Sequence, residues 1–389
     1  MSFKSTKTAF SIKNNFELKR AYLLFKLISY PFLVGLGKFL IMISVKLRLP
    51  VDGLIRLFVF DHFCAGIDEK DSIKIVNLLA TKNVKSYLHY SVEGANSEKD
   101  YDNCLNSTIK TLEASIINLS LPFSVFKPTG YGSTILFEKK SSNVSFTKGE
   151  SEEWKRIIER FRVTFSRAKS IGISVFVDAE ESWIQPAIDE LVEDMMLEFN
   201  KERPIVFNTV QMYRNDRFEY LKSLNEKSLK HGFKVGVKLV RGAYMEIERT
   251  RALKNNYPSP ICDTKEETDI QYDKGIDFMF KNIDRFCMLL GSHNEKSANK
   301  AIDLATKNFL PKDHQNLSFG QLYGMSDNIT FSLAESGYRV LKYLPYGPVK
   351  EVVPYLIRRA NENSSVSGQS NRELDMISKE LKRRKELKT

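Results

Sequence analysis

The sequence predicts an α/β protein whose main part is a distorted, TIM-like (β/α)8 barrel, and two observations support this. First, short runs rich in β-branched and aromatic residues recur along most of the chain, and several are apolar almost throughout, as parallel strands covered on both faces are. Second, the intervening segments are long enough for amphipathic crossover helices. Eight such units favour a closed barrel. A doubly wound open sheet is the alternative, but no GxGxxG motif follows any of the strands.

The chain divides into an N-terminal helical region (1–80), the barrel (81–370) and a basic C-terminal tail helix (371–389). Residues 16–28 have apolar side chains at helical spacing, and residues 68–82 begin with acids, as a helix N-terminus favours. The most apolar stretch, 30–47, is interrupted by two lysines and two glycines and falls short of the roughly 20 apolar residues of a spanning helix. A packed helix is predicted there, with a membrane-lying helix as the alternative.

The barrel prediction rests on eight strands: 86–93, 123–127, 173–178, 205–210, 235–240, 286–290, 317–319 and 339–343. The helical segments 154–172 and 217–232 each end in a basic turn and a glycine, which is a common helix stop. The last barrel helix is predicted to start near residue 350, because Pro354 is tolerated only where its missing N–H would have no partner.

Composition sets further limits on the function. The chain has 389 residues, 42% hydrophobic and 28% charged, which is a globular profile. A net charge of +11 suits nucleic acid, an anionic membrane or an anionic ligand. Lysines and acids are mixed along most of the chain, which argues against nucleic-acid binding. The four cysteines lack zinc spacing, so no metal site is expected and reduced thiols in an intracellular protein are predicted. The N-terminus has no secretory pattern.

Polar side chains stand at the ends of nearly every predicted strand, where a barrel places its active site. They are Lys127, Asp178, Gln211, Lys238, Arg241, Ser292, His293, Asn294, Gln321, Lys342 and Tyr343. Simpler interpretations remain open for some of them. Asp178 and Glu181 are equally consistent with a helix cap. His293 is consistent with a cap or a hydrogen bond in the core. Arg241 could be a solvated cation, and Gly242 could serve only a tight turn.

The last barrel helix presents two faces. Val352, Val353, Leu356, Ile357 and Ala360 form an apolar face. Tyr355, Arg358, Arg359 and Glu362 fall on another, at spacings of three, four and seven. A solvated stripe with an Arg358–Glu362 pair and a two-arginine fork for a carboxylate are equally compatible with this pattern.

Six segments, in order, resemble the proline dehydrogenase family of flavoenzymes, whose catalytic domain is a distorted (β/α)8 barrel. They are DAEES (178–182), KLVRGAYMEIE (238–248), SHN (292–294), LYGM (322–325), YLPYG (343–347) and YLIRRANENS (355–364). The resemblance covers roughly residues 80–370, and the N-terminal helices are similar to those of single-function members. It implies FAD-dependent oxidation of L-proline to 1-pyrroline-5-carboxylate, the first step of proline catabolism, by hydride transfer to flavin N5, with electrons passing to a membrane quinone. Another barrel flavoprotein, such as a methylenetetrahydrofolate reductase relative, is the rival, although two adjacent arginines favour a small amino acid.

The resemblance also implies roles for individual residues. Arg358 and Arg359 would pair with the substrate carboxylate, Glu362 and Lys127 would close over it, and Asp178 would support Lys238 or the substrate pocket. Around the substrate ring would lie Tyr244, Leu322, Tyr343 and Tyr355. FAD would contact Gln211, Lys238, Val240, Gly242, Ala243, Thr264, Lys265, Ser292, His293, Asn294 and Gln321.

Two positions depart from the family pattern or refine it. Lys238 stands where many relatives have arginine, which keeps the charge but loses the planar fork. Tyr343 stands where hydroxyproline-oxidising relatives have a smaller residue, which favours proline over 4-hydroxyproline.

The implied partners and location complete the sequence predictions. The chain is too short for a fused aldehyde dehydrogenase module, so a separate 1-pyrroline-5-carboxylate dehydrogenase is expected to take the product. A cytoplasmic location with peripheral contact at the inner face of the membrane is predicted. The tail KELKRRKELK (379–388) would dock electrostatically, and a merely solvated helix is the equal alternative.

Overall fold

The predicted barrel is confirmed in the computed structural model, which describes residues 1–47, 50–91, 94–365 and 369–387. Eight parallel strands form one sheet: β1 Val84–Tyr90, β2 Phe123–Phe126, β3 Ser174–Val177, β4 Val206–Gln211, β5 Val235–Val240, β6 Phe286–Gly291, β7 Leu317–Leu322 and β8 Val340–Tyr346. All eight overlap the strands predicted from the sequence.

The order of the strands explains why the sheet is a nearly closed barrel and not an open one. Neighbours run β1-β8-β7-β6-β5-β4-β3-β2, so the first and last strands pair in parallel, with Tyr87 in register with Tyr343. On the other side of β1, the Ser86 N–H donates to the Ser120 carbonyl just before β2, at 2.8 Å. All strand ends therefore meet at one rim, as in a TIM barrel.

Helices connect the strands and cover the barrel. The helices before β1 are α1 Thr6–Ala9, α2 Asn15–Ile28, α3 Pro31–Lys46, α4 Asp52–Ile55, α5 Asp61–Phe63 and α6 Glu69–Ala80. A π-helical turn, Arg56–Phe60, lies between α4 and α5. The connections are α7 Glu98–Ile117, α8 Thr134–Ser141, α9 Lys148–Ile171, α10 Gln185–Phe199, α11 Arg217–His231, α12 Met245–Lys254, α13 Lys265–Lys281, α14 Glu295–Lys307 and α15 Asp327–Glu335. After β8 come α16 Val353–Ser365 and α17 Gln369–Glu386. The predicted glycine stops, Gly172 and Gly232, are left-handed caps with φ of 75° and 64°.

The lower part of the barrel is filled by aromatic and aliphatic side chains. Phe123 stacks on Phe176 with ring centroids 4.5 Å apart, and Phe207 meets both rings edge-on. Each buried ring contributes roughly 1.5–3 kcal/mol by leaving water. Leu289 and Leu341 belong to the same cluster. This packing fills the interior of the barrel below the carboxyl ends of the strands, where a TIM barrel places its active site.

The N- and C-terminal helices pack on one another and on the barrel. Phe10, Leu18 and Phe25 form a small core with Met376 and Ile377 of α17. By contrast α3, predicted as a packed helix, buries only a narrow face: Val34 and Ile41 pack inward while most of its large apolar side chains are exposed. Among the described residues no single helix could span a bilayer; α2 and α3 would be long and apolar enough together, but they are bent by 104°.

Candidate active site

A buried ion pair stands inside the barrel mouth. Lys238 on β5 points inward, and its Nζ lies 2.6 Å from Oδ1 of Asp178, just after β3. The Lys238 ammonium also lies 5.3–5.6 Å from the ring centroids of Tyr87, Phe176 and Tyr343, within cation–π range. Asp178 is not a helix cap, because α10 begins only at Gln185. Burial opposes its ionisation, but Lys238 and then His89 outweigh this and hold the pKa of Asp178 below its usual value.

His89 is a member of the site that the sequence analysis missed. It lies on the inner face of β1, 4% exposed, with Nδ1 at 2.5 Å from the Tyr343 hydroxyl and 2.7 Å from Ser91 Oγ. The sequence pattern that could have identified His89 is the alternation of side chains along a strand, which puts Tyr87, His89 and Ser91 on one face. The contact between His89 and Tyr343 could not be predicted from this alternation, because it depends on the pairing of β1 with β8.

A second charged group surrounds Lys127 at the end of β2. Its Nζ is 3.9 Å from Oε2 of Glu180 and 3.5 Å from the Tyr244 hydroxyl. Tyr244 donates to Glu180 at 3.0 Å, and Thr129 donates to the other carboxylate oxygen at 2.7 Å. Glu180, 3% exposed, was given no role from the sequence. Its contacts make it the anchor that fixes Lys127 and Tyr244 relative to each other.

A cavity of about 350 Å³ opens beside this group. Its lining includes His89 of β1, Arg358 of α16, and three residues from the loops that follow β2, β3 and β5: Lys127, Glu181 and Tyr244. Burial, and then the neighbouring Glu180, raises the pKa of Glu181 to about 7. The cavity therefore joins cationic, aromatic and titratable side chains at the barrel mouth.

Helix α16 closes the mouth with the residues predicted from its two-faced pattern. Tyr355 is 4% and Arg359 7% exposed, and the Arg359 guanidinium lies 5.2 Å from the Tyr355 ring centroid. The Tyr355 and Tyr343 rings are 6.4 Å apart, and Leu322 packs against the same cluster. Burial of Tyr355 and Arg359 excludes a wholly solvated stripe. Glu362 lies on this helix, but its side chain is outside the described residues.

The predicted cofactor residues on β4 and β5 form a tightly packed rim. Gln211 Nε2 donates to the Glu180 carbonyl at 2.8 Å, and its Oε1 accepts from the Ala243 N–H at 3.1 Å. Gly242 has φ of 147°, and a Cβ there would lie 2.4 Å from the Tyr213 ring. Next to it, a Cβ on Gly291 would come within 2.9 Å of Val240 Cγ1. Glycine is thus required at this rim for close backbone approach.

Arg241 holds the neighbouring strand ends together. The alternative interpretation, that it is only a solvated cation, is therefore wrong. Its guanidinium stacks 4.3 Å from the Tyr272 ring centroid. It donates to Ser292 Oγ at 2.7 Å, to Ser297 Oγ at 3.0 Å and to Asp269 at 2.6 Å. Arg241 therefore fixes the loop after β6 to the end of β5.

His293, Gln321 and Asn294 are held by protein groups. His293 Nδ1 lies 3.0 Å from Ser326 Oγ, and burial, followed by the field of Lys342 and Arg359, lowers its pKa to about 3. It is therefore neutral near pH 7. Gln321 bonds the Ser292 carbonyl through Nε2 and accepts from Thr330. Asn294 caps α14 through its side chain.

Thr264 and Lys265 lie at the start of α13. Thr264 caps this helix in a capping box with Glu267. Lys265 pairs at 2.6 Å with Asp269, the same carboxylate that receives Arg241. Lys265 thus reaches the rim through Asp269. Lys238 contacts Asp178 and the Tyr343 ring directly, and Arg359 contacts the Tyr355 ring that lies beside Tyr343.

The arrangement suits a small anion with an apolar body. Three buried or half-buried cations, Lys127, Lys238 and Arg359, stand at a mouth lined by tyrosines; Lys238 pairs with Asp178, and Lys127 lies 3.9 Å from Glu180. Guanidinium groups bind carboxylates in a planar fork, while the tyrosine rings offer an apolar surface that excludes water.

Comparison with known proteins identifies relatives. The family model for proline dehydrogenase matches residues 72–372. Carbapenem antibiotics biosynthesis protein CarD of Pectobacterium carotovorum is 38% identical over 306 residues, which cover 79% of each chain. Mitochondrial proline dehydrogenase 1 of Dictyostelium discoideum is 30% identical over 418 residues, covering 96% of this chain and 73% of that protein. The human mitochondrial proline dehydrogenase 1 is 40% identical over 243 residues, 61% of this chain and 40% of its own length.

The fold has solved counterparts. The crystal structure of proline utilization A from Bdellovibrio bacteriovorus, inactivated by N-propargylglycine, superposes with a TM-score of 0.72 at 22% identity. The match covers 92% of this chain and 38% of that longer one. At this identity the likeness shows the fold alone.

Proposed function

This chain belongs to the proline dehydrogenase family and is an oxidoreductase of proline catabolism. We propose that it oxidises L-proline to 1-pyrroline-5-carboxylate, with FAD as the hydride acceptor and a membrane quinone as the electron acceptor that follows. The observation that carries the proposal is the meeting of Arg359, Tyr355 and Tyr343 above the Lys238–Asp178 pair. It combines a carboxylate-binding cation with a ring-binding surface in one buried mouth.

The site chemistry fits a flavin. Thr209 lies beside Lys238 in the strand register, and its buried hydroxyl has no hydrogen-bond partner among the described residues. Such a group is costly unless a ligand satisfies it. The rim at Gly242 and Gly291 lets the backbone approach closely. The donors and acceptors for FAD would come from Lys238, Gln211, Ala243, Ser292, His293 and Gln321, with Thr264, Lys265 and Asn294 farther out. Bound at this rim, FAD would supply hydride acceptance at N5.

The substrate would be oriented by its carboxylate. A bidentate pair with Arg358 and Arg359 leaves an amino acid few orientations, and Tyr244, Leu322, Tyr343 and Tyr355 would pack around the ring. Lys127 and Glu362 would close over the carboxylate end. Here Lys127 is already positioned by Glu180 and Tyr244.

The protein groups also govern charge during the reaction. The substrate amine must lose its proton before hydride leaves, and the cations of the mouth favour the neutral amine. Lys238 would stabilise negative charge that develops beside it, which is an electrostatic role. Asp178 fixes Lys238 at 2.6 Å, and the Tyr343 ring, 5.3 Å from the Lys238 ammonium, would help to exclude water.

The proposed product would pass to a separate 1-pyrroline-5-carboxylate dehydrogenase. Peripheral contact with a membrane would give access to quinone.

The test is the visible absorption spectrum of the purified protein before and after anaerobic addition of L-proline or 4-hydroxyproline. The proposal expects a flavin spectrum that bleaches with proline and much less with 4-hydroxyproline. A flavin untouched by proline would remove the substrate assignment. A colourless protein after reconstitution with FAD would remove the cofactor assignment, and equal bleaching by both compounds would remove the preference ascribed to Tyr343.

A further inference from the structure

The N-terminal helices carry an unusual number of exposed large apolar side chains. We call this set the N-terminal apolar face; it comprises Phe32, Leu33, Leu36, Phe39, Leu40, Ile43, Leu47, Leu54, Leu57 and Phe58. Phe32 is 80% and Phe39 60% exposed. Soluble monomers rarely expose so many apolar groups together unless the surface has a partner.

The face is the outer side of a layer whose inner side is well packed. Val34 and Ile41 of α3, and Val51 and Val59 beside α4, pack against the same cluster, which also contains Tyr355 of α16. The exposed residues are therefore not unfilled core positions, since the cluster beneath them already has its covering side chains. They face away from the barrel.

Charge selects the partner. Residues 16–61 contain seven lysines and arginines against three acids, Glu17, Asp52 and Asp61, a formal excess of +4 (7 − 3). Arg20 and Arg56 both pair with Asp61, so the lysines carry the free charge. Lys26 and Lys38 are exposed on the helices that carry or adjoin the apolar face. Exposed apolar residues flanked by cations match the interface of an anionic bilayer, where rings insert among the acyl chains and ammonium groups meet lipid phosphates.

We propose that the N-terminal apolar face is a membrane-docking surface, on which α3 lies in the plane of an anionic bilayer. The 104° bend between α2 and α3 suits a helix lying on a surface. The C-terminal tail has less free charge than its sequence indicates, because Arg383 and Arg384 pair with Glu380, and Lys379 pairs with Asp375. The main contact is assigned to the N-terminal helices because they combine exposed lysines with the exposed apolar side chains.

This surface lies one helix layer from the active-site mouth. α3 packs on α16, which carries Tyr355 and Arg359. Docking would place the mouth close to the bilayer, so a lipid-soluble acceptor could approach without crossing water. That last step rests on the proposed function, whereas the choice of docking surface rests on the exposed side chains alone.

The test is flotation of the full-length protein with vesicles of phosphatidylcholine alone or mixed with phosphatidylglycerol. The wild type is expected to float with the anionic vesicles. The double variant Phe32→Glu/Phe39→Glu should lower the bound fraction about tenfold or more, because it puts charge into the inserted face. The matched control is Leu119→Glu/Phe309→Glu, which adds the same charges at two exposed apolar residues. They lie in the α7–β2 and α14–β7 loops, at the opposite end of the barrel, and this variant should bind as the wild type does.

Unchanged flotation of the Phe32/Phe39 variant, or no flotation of the wild type, would overturn the proposal. So would a wild-type dimer that this variant dissociates in the absence of vesicle binding, since the face would then join two copies. Proline-dependent reduction of a soluble dye is measured in parallel. It should be equal in the three proteins, which shows that the variants are folded. Absence of that activity in the wild type, while the wild type still floats with the anionic vesicles and the Phe32/Phe39 variant does not, would contradict the proposed function and leave the docking surface standing.

Discussion

The hydroxyl of Tyr343 lies 2.5 Å from Nδ1 of His89, and this contact joins β8 to β1 at the inner face of the barrel mouth. Both side chains are almost fully buried. Burial, reinforced by the charge of Asp178, raises the pKa of Tyr343 well above its usual value, so the phenol stays protonated. His89 therefore fixes the position of a ring that the proposed substrate would touch.

Replacing His89 by leucine should lower kcat/KM for proline about tenfold, mainly through KM, because the buried Tyr343 hydroxyl loses its imidazole partner. Tyr343→Phe should have a similar effect, and the double variant should lose no more than either single one. Steady-state kinetics with a soluble dye would measure this. Tyr346→Phe, on the outer face of the same strand, is the control and should leave KM unchanged. Additive losses in the double variant would show that the two residues act independently.

The Lys238–Asp178 pair should be strongly coupled in stability. Asp178→Asn leaves a buried ammonium without its counter-charge and should lower the free energy of unfolding by roughly 3 kcal/mol. Lys238→Met/Asp178→Asn should recover part of that loss, as urea denaturation would show. Because the folded-state pKa of Asp178 is lowered, its contribution is present above the unfolded-state pKa, near 3.9, and is lost as pH falls through the folded-state value. A double variant less stable than Asp178→Asn would contradict the coupling.

Gly242→Ala should destabilise the flavin rim. Its φ of 147° disfavours any side chain, and the new Cβ would lie 2.4 Å from the Tyr213 ring. The expected loss is about 1–3 kcal/mol in the free energy of unfolding, with weaker retention of FAD during gel filtration. Gly149→Ala in α9, where a Cβ meets nothing within 4 Å, is the matched control and should be neutral or stabilising. Equal effects at both glycines would refute the argument from close approach.

Glu181→Gln should alter how stability depends on pH. The folded-state pKa of Glu181 is raised to about 7, so the folded protein binds this proton more tightly than the unfolded chain does. Its stabilising contribution is complete below the unfolded-state pKa, about 4.3, and is lost as pH rises towards 7. The variant should therefore become more stable than the wild type over this interval, by at most about 1.4 kcal/mol per pH unit. A difference that does not vary between pH 4 and 8 would remove Glu181 as the titrating group.

Arg359 should act through the substrate carboxylate. Arg359→Met is expected to raise KM for proline about a hundredfold. Arg359→Lys keeps the charge but loses the planar fork, so its KM should lie between those of the wild type and Arg359→Met. Prolinamide, which lacks the carboxylate, provides the control substrate. Its weaker turnover should change little in either variant, and an equal loss for proline and prolinamide would indicate a structural role.

The sequence by itself determined the units of the barrel, because the alternation of short buried strands with amphipathic helices is written in local periodicity. It also placed Asp178, Lys238, Tyr343 and Arg359 at strand ends or on the last helix. One strand was underestimated: β7 runs to Leu322, past Gly320 and Gln321, which are weak strand formers. A Cβ on Gly320 would lie 3.1 Å from the Leu289 side chain, so a larger residue there would require that leucine to shift.

Only the tertiary structure decided which of these residues meet. The contact of His89 with Tyr343 depends on β1 pairing with β8, 254 residues apart in the chain. The anchoring of Lys127 by Glu180 depends on β2 lying beside β3. The exposure of α3 depends on how much of its surface α16 can cover, and its apolar composition alone predicted burial. Periodicity reports the faces of one element, whereas barrel closure and helix packing set which faces are opposed, and these long-range contacts carry the chemistry of the site.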